Sequence, residues 1–267
     1  MPASALMNVM IGAARKAGRS LSRDFGEVEQ LQVSVEGPGN FVTAADLRAE
    51  EILYRELSKA RPGYSFLMEE RGEILGDDQS HRWIVDPLDG TTNFLHGVPM
   101  FAISIGLERE GQLVAGLVYN PISDELFAAE KGKGAFLNDR RRLRVAARKN
   151  LSDALVTTGI PHLGRPGHPV FQREIKEVTK HVAGVRRTGS AALDLAWIAA
   201  GRFDIYWERD IKPWDMAAGI VLVREAGGTI SDLSGGSDML DKGQVLASNS
   251  PLYKEFFPLV SNTSTRG

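Results

Sequence analysis

The sequence predicts an α/β protein with two differently built halves, an α+β N-terminal half (residues 1–145) and an α/β C-terminal half (residues 146–262), with a disordered tail at 263–267. Three observations predict it. Two helical patterns open the chain. A run of strand-forming segments punctuated by glycine turns follows. From about residue 150, helix and strand patterns alternate, as layered α/β packing requires.

Leu6, Val9, Met10, Ala13, Ala14, Ala17 and Leu21 recur at helical spacing over 4–24, with Arg15, Lys16 and Arg19 between them. That is an amphipathic helix, not a signal peptide. Thr43-Ala-Ala-Asp46 has the form of a capping box, and the helix it starts runs through Leu47, Ile52, Leu53 and Leu57 until Pro62-Gly63. Tyr64–Met68 reads as a strand, 71–82 as a polar connection, and Trp83-Ile84-Val85 as a further strand. FAISIGLE and LVAGLVYN flank Arg109-Glu110-Gly111 as a hairpin, and ELFAAEKGKGAFLN adds strand broken at Gly132 and Gly134. The basic stretch 138–149 closes the first half. Beyond it ALVTTG, GVRRTG, FDIYWE, GTISDLSG and QVLASN read as strands. FQREIKEVTKHV, SAALDLAWIAAG, WDMAAGIVLVREAGG and PLYKEFF read as helices. Gly227-Gly228 follows the third of these as a C-terminal stop.

With 267 residues the chain can bury a substantial core. Its net charge of −2 gives no global pull toward nucleic acid or anionic membrane. The absence of cysteine excludes disulfides, thiolate metal sites and a thiol nucleophile, and fits a cytoplasmic protein. No apolar run approaches the ~20 residues that span a bilayer.

The chemistry lies in the acids at element ends: Asp46 at a helix start, Glu69 and Glu70 after a strand, Asp86 and Asp89 in WIVDPLDGTTNF, and Asp215 opening a helix. If these converge, each pair ~4 Å apart repels by ~4 kcal/mol at an effective dielectric of ~20. Such a cluster stays ionised only around a cation, and all-oxygen donors suit Mg²⁺, Mn²⁺ or Ca²⁺. Pro87 keeps Asp86 out of helical geometry. A turn can then present both aspartates and the Leu88 carbonyl to ions. Gly90 permits close approach, and the amides opening at Thr91 can hold an anion. A metal site beside an anion site is the layout for metal-assisted phosphate hydrolysis. The five histidines show no metal-ligand spacing. The four tryptophans read as packing residues, and Arg140–Arg144 as a solvated hairpin or loop.

WIVDPLDGTTNF, the preceding MEE and WDMAAGIVLVREAGG resemble the inositol monophosphatase family of magnesium-dependent, lithium-sensitive phosphatases. VTAAD, GAF and GSAA extend the likeness over nearly the whole chain. The resemblance implies a layered αβαβα sandwich of the inositol monophosphatase and fructose-1,6-bisphosphatase type. It implies that Glu69, Asp86, the Leu88 carbonyl, Asp89 and Asp215 hold two Mg²⁺ ions, with Glu70 helping a weaker third. Li⁺ is the expected inhibitor. By the same likeness Thr91 and Asp46 orient the attacking water, assisted by Glu69 as a metal ligand. The amides of Gly90 and Thr91 cradle phosphate, and Glu208, Ala191, Asp89 and Asp215 contact substrate. The implied activity is hydrolysis of myo-inositol 1-phosphate by in-line attack, in a homodimer. Histidinol phosphate, fructose 1,6-bisphosphate and adenosine 3′,5′-bisphosphate are the alternative substrates. The short connection of 15 residues between Glu70 and Asp86 speaks mildly against the nucleotide. Some bacterial members of the family also associate with transcription and RNA processing, and the basic 138–149 segment is the feature that would serve this. The likeness departs at EGPGNF, where Glu36 and Asn40 replace a lysine and an aspartate in a loop that closes over the site in relatives.

Overall fold

A computed structural model of the chain describes residues 4–27, 33–37, 40–162 and 164–261, with backbone alone for 33–37 and 40–42. The expected disordered tail, 263–267, lies outside the described residues, as do the side chains of Glu36 and Asn40.

The first layer is a helix pair, α1 (Ala5–Phe25) against α2 (Ala44–Ala60). Ser4 caps α1 by accepting from the Met7 N–H at 3.1 Å. Thr43 and Asp46 form the capping box of α2. Met10, Ala13, Ala14, Ala17 and Leu21 of α1 and Ala49, Leu53 and Leu57 of α2 are buried. Leu47 departs from the expected apolar face. It is 54% exposed, because one turn past the cap that side of α2 faces solvent rather than α1 or the sheet. Ahead of α2, β1 (Val33–Gly37) and β2 (Asn40–Thr43) pair antiparallel, so Glu36 and Asn40 sit on strand backbone rather than in a loop.

The second layer is a sheet of β3 (Tyr64–Met68), β4 (Gly72–Ile74), β5 (Asp78–Asp89), β6 (Ala102–Arg109), β7 (Gln112–Asn120), β8 (Glu125–Glu130), β9 (Gly134–Leu137) and β10 (Arg141–Arg142). Their order is β10-β9-β8-β7-β6-β5-β3-β4. Only β3 and β5 run parallel; the other pairs are antiparallel. The stretch 71–82, expected as a polar connection, instead contains β4 and the start of β5. β4 is the edge strand and the start of β5 lies between β3 and β6, but the side chains of both are exposed or half-buried, which apolar periodicity does not reveal.

The third layer lies between the sheets: α5 (Ala191–Ala199) and α6 (Pro213–Glu225). Helix α6 lies close on the large sheet at Gly116, where a Cβ would stand 2.3 Å from the Ala218 carbonyl oxygen. The smaller sheet contains β11 (Leu155–Thr158), β12 (Gly184–Arg186), β13 (Ile205–Arg209), β14 (Thr229–Ser231) and β15 (Gln244–Ser248), in the order β12-β11-β13-β15-β14. Two further helices, α4 (His168–Val178) and α8 (Ser250–Ser261), cover its outer face, with Trp207, Leu252, Phe256 and Val260 in their shared core. The short helices α3 (Thr91–Leu95) and α7 (Met239–Lys242) and a 3-10 turn at Leu151–Asp153 complete the described elements. The result is a five-layer αβαβα sandwich. Its middle core joins Ala102, Val118 and Phe127 of the large sheet to α5, α6 and Tyr206 of the small one.

Candidate active site

The site begins with a fault in β5. Asp86 pairs with Ser104 and Asp89 with Ala102, so three steps along β5 match two along β6. In a regular strand, residues three apart point to opposite faces. The extra residue at Pro87–Leu88 is a β-bulge, and it returns both aspartates to one face. The expected turn is thus a bulged strand end, because β6 continues to pair with it as far as Asp89. Asp86 accepts from the Leu88 N–H at 2.8 Å, which holds the bulge.

Gly90 then takes φ 101°, the left-handed region that an L side chain rarely adopts. A Cβ there would also stand 3.0 Å from the Met100 carbonyl oxygen. The chain enters α3 at once, and no side chain caps its N-terminus. The Thr91 hydroxyl lies 3.2 Å from Asp46 Oδ1 and 3.1 Å from the Leu88 carbonyl oxygen. Asp46 is itself fixed by the Thr43 N–H at 2.8 Å and by the Thr43 hydroxyl.

Asp215 comes from the first turn of α6, where it accepts from the Lys212 N–H at 2.8 Å. The close seat of α6 on the sheet carries it to β5. Ligand oxygens of Asp86, Asp89 and Asp215 all lie within 4.8 Å of one another. Glu69, just past β3, joins the same cleft, and its Oε2 is buried without a hydrogen-bond partner.

The electrostatics follow from this crowding. Burial first, then the charges of Glu69, Asp89 and Asp215, holds the Asp86 carboxyl well above the usual carboxylate range. Burial and then the Asp215 charge raise Glu69. Asp89 is pushed up to about 7, by burial and then Asp215, against hydrogen bonds from Ser190 and Ala192. Asp215 is pushed up to about 6, chiefly by burial. Burial also raises Asp46, against its hydrogen bonds from Thr43 and Thr91. A buried carboxylate oxygen without a donor, beside three acids that share one space, fits a divalent cation held by oxygen ligands.

The cleft, of about 400 Å³, is lined by Glu69, Asp86, Leu88, Asp89, Gly90 and Thr91 on one side and by Ala191, Glu208 and Asp215 on the other. Asp46 reaches it through Thr91. Glu70 is not among the lining residues; its backbone N–H donates to Glu50 at 2.9 Å, and its charge raises Glu69. Sequence reasoning missed several residues. Ser190 donates to Asp89 Oδ2 at 2.5 Å and the Ala192 N–H donates to the same oxygen at 2.7 Å. Ser190 also caps α5, a signal the capping rule could have found. Buried Glu50 anchors the Glu70 backbone and pairs with Arg71 at 3.1 Å. Nothing in its helical context marks it. Gly159, Arg165 and Arg187 line the cleft from loops without a motif.

The comparisons with known proteins agree with this architecture. The family model described as "Inositol monophosphatase family" matches residues 3–264. An inositol-1-monophosphatase of Mesorhizobium japonicum is 61% identical over 97% of each chain. A protein of Pseudomonas aeruginosa named Nus factor SuhB is 41% identical over 93% of each. The crystal structure of the extragenic suppressor protein suhB from Bartonella henselae superposes with a TM-score of 0.94 at 57% identity, covering 96% of this chain and 98% of that one. The chain belongs to the inositol monophosphatase family of phosphoric monoester hydrolases.

Proposed function

We propose that the chain is a Mg²⁺-dependent, Li⁺-inhibited phosphatase whose substrate is myo-inositol 1-phosphate. The observation that carries this reading is the convergence of Glu69, Asp86, Asp89 and Asp215 on one cleft with a donorless carboxylate oxygen at its base. Glu69, Asp86, the Leu88 carbonyl, Asp89 and Asp215 would hold two ions, with Glu70 near a third. Bound there, the ions supply water acidification and neutralisation of phosphate charge.

The chain's own residues do the rest. Thr91 has one hydroxyl proton and two acceptors. Donating it to Asp46 leaves the oxygen's lone pairs to accept from a water in the cleft, orienting that water for in-line attack on phosphorus. Asp46, raised by burial, is able to take up a proton as the water loses one. The first-turn amides at Gly90 and Thr91 face the equatorial phosphate oxygens. Glu208 and Ala191, across the cleft, contact the polyol ring, and a carboxylate there suits a ring hydroxyl donor.

The test is phosphate release from inositol 1-phosphate, fructose 1,6-bisphosphate, histidinol phosphate and adenosine 3′,5′-bisphosphate, with Mg²⁺, with EDTA and with added Li⁺. Preference for inositol 1-phosphate, abolished by EDTA and inhibited by Li⁺, supports the reading. Activity indifferent to EDTA rejects the metal mechanism, and preference for another ester rejects the substrate. A cytoplasmic homodimer completes the proposal, as the family resemblance implies. Sedimentation measures the dimer.

A second reading, association with transcription and RNA-processing machinery, is favoured by the name of the Pseudomonas relative and by exposed Arg140, Arg141 and Arg142 at the edge strand β10. Replacing the three arginines by alanine should abolish RNA or polymerase binding while phosphatase activity persists.

A further inference from the structure

Tyr206 and Glu208 are two apart on β13 and therefore share the face turned toward α5. Tyr206 is fully buried, and its hydroxyl donates to Glu208 Oε2 at 2.7 Å. On the neighbouring strand the chain leaves β11 at Gly159. A Cβ at Gly159 would stand 1.8 Å from Glu208 Oε1, so the carboxylate lies directly against that backbone. The Thr158 hydroxyl donates to the Trp207 carbonyl at 2.7 Å and ties the two strands together beside it. Glu208 Oε1 accepts no hydrogen bond among the described residues, and both Glu208 and Gly159 line the cleft.

The surroundings make this arrangement necessary. The charges of Asp89 and Asp194 bear on Glu208. Asp194 is buried and held by the Thr157 hydroxyl at 2.8 Å. A carboxylate facing other acids would rotate away from them, toward the arginines at the rim. A neutral, buried phenol holds it in place without neutralising it, and a glycine gives it a flat seat.

We infer that Tyr206 is a positioning residue for substrate selection, holding Glu208 against Gly159 by one oxygen so that the other is offered to a substrate hydroxyl. The inference rests on the proposed role of Glu208 toward a polyol phosphate.

The experiment compares kcat/KM for inositol 1-phosphate with kcat/KM for p-nitrophenyl phosphate, whose ring has no hydroxyls. The enzymes are the wild type, Tyr206→Phe, Glu208→Ala, the double variant and Gly159→Ala, each checked by thermal melting. Loss of a hydrogen bond to a charged group predicts a selectivity ratio about tenfold lower in Tyr206→Phe. The double variant should be no less selective than Glu208→Ala, since both act through one carboxylate. Gly159→Ala, which displaces the carboxylate, should lose selectivity too, and it carries the test if Tyr206→Phe fails to fold. Unchanged selectivity in Tyr206→Phe or Gly159→Ala, or multiplying losses in the double variant, overturns the inference while the substrate reading stands. A wild type without preference, or a Glu208→Ala variant as selective as wild type, overturns both.

Discussion

Buried acids occur in two kinds of place in this molecule. Away from the cleft, each has a basic partner: Asp24 with Arg48 at 2.9 Å, Asp204 with Arg148 at 3.0 Å, and Asp232 with Lys242 at 2.9 Å. Glu50, behind the cleft, pairs with Arg71 at 3.1 Å, and Glu174, at the cleft's outer wall, is the exception among its lining acids in having a basic partner, Arg209 at 2.7 Å. In the cleft, Asp46, Glu69, Asp86, Asp89 and Asp215 make no ion pair among the described residues; Asp46, Asp86, Asp89 and Asp215 are held instead by backbone N–H groups and hydroxyls, and Glu69 Oε2 has no donor. Asp194 follows the second pattern, and it too lies at the cleft. The fold thus neutralises its structural acids internally. It leaves these five cleft acids raised in pKa and without a basic partner among the described residues, an arrangement that could hold a metal ion.

The comparison predicts opposite signs for similar substitutions. Asp89→Asn should lower phosphatase activity by about 10²–10³ or more. It should also raise the melting temperature of the EDTA-treated protein by about 5 °C, since one of several repelling charges is gone. Asp204→Ala should do the reverse. Removing one partner of a buried pair costs about 3 kcal/mol and lowers the melting temperature, with kcat unchanged. Calorimetry and steady-state kinetics on the two variants would break the comparison if both moved the same way.

Thr91→Val keeps the shape but removes the hydroxyl that reaches Asp46 and Leu88. A drop in kcat of about a hundredfold with little change in KM is expected from stopped assays. Gly90→Ala combines a positive φ with a 3.0 Å approach to the Met100 carbonyl. It should lower stability by about 1–2 kcal/mol in denaturant titrations and reduce kcat alongside.

A further expected effect is on pH dependence. Asp89, ordinarily 3.8, is raised to about 7 in the folded chain, and Asp215 from 3.8 to about 6. The folded state therefore binds more protons than the unfolded state between about pH 4 and pH 7. These two groups make metal-free stability fall as pH rises through that window and level off above it. Saturating Mg²⁺ at pH 8 should restore the loss, because a ligand of the folded state stabilises it. Melting curves with and without Mg²⁺ across pH 5–8 would show the two profiles diverging upward in pH.

Much of this was legible in the residues. The helix cap at Thr43, the helix stop at Gly227-Gly228, the hairpin at Glu110-Gly111 and the acids of WIVDPLDGTTNF were read from local chemistry, and local chemistry decided those elements. Long-range contacts were not legible. The bulge needs the β6 register to be seen. Ser190 meets Asp89 across 101 positions of sequence, and Glu50 meets Glu70 across 20. Leu47 read as core because periodicity records spacing, whereas its exposure depends on where the neighbouring layer ends.

The most direct test of the central claim is the anomalous diffraction of Mn²⁺ in crystals of the protein. The account predicts strong peaks among Glu69, Asp86, Asp89 and Asp215, lost on soaking in EDTA and weakened in Asp89→Asn crystals. An empty cleft at millimolar Mn²⁺, or peaks only elsewhere on the surface, would contradict it.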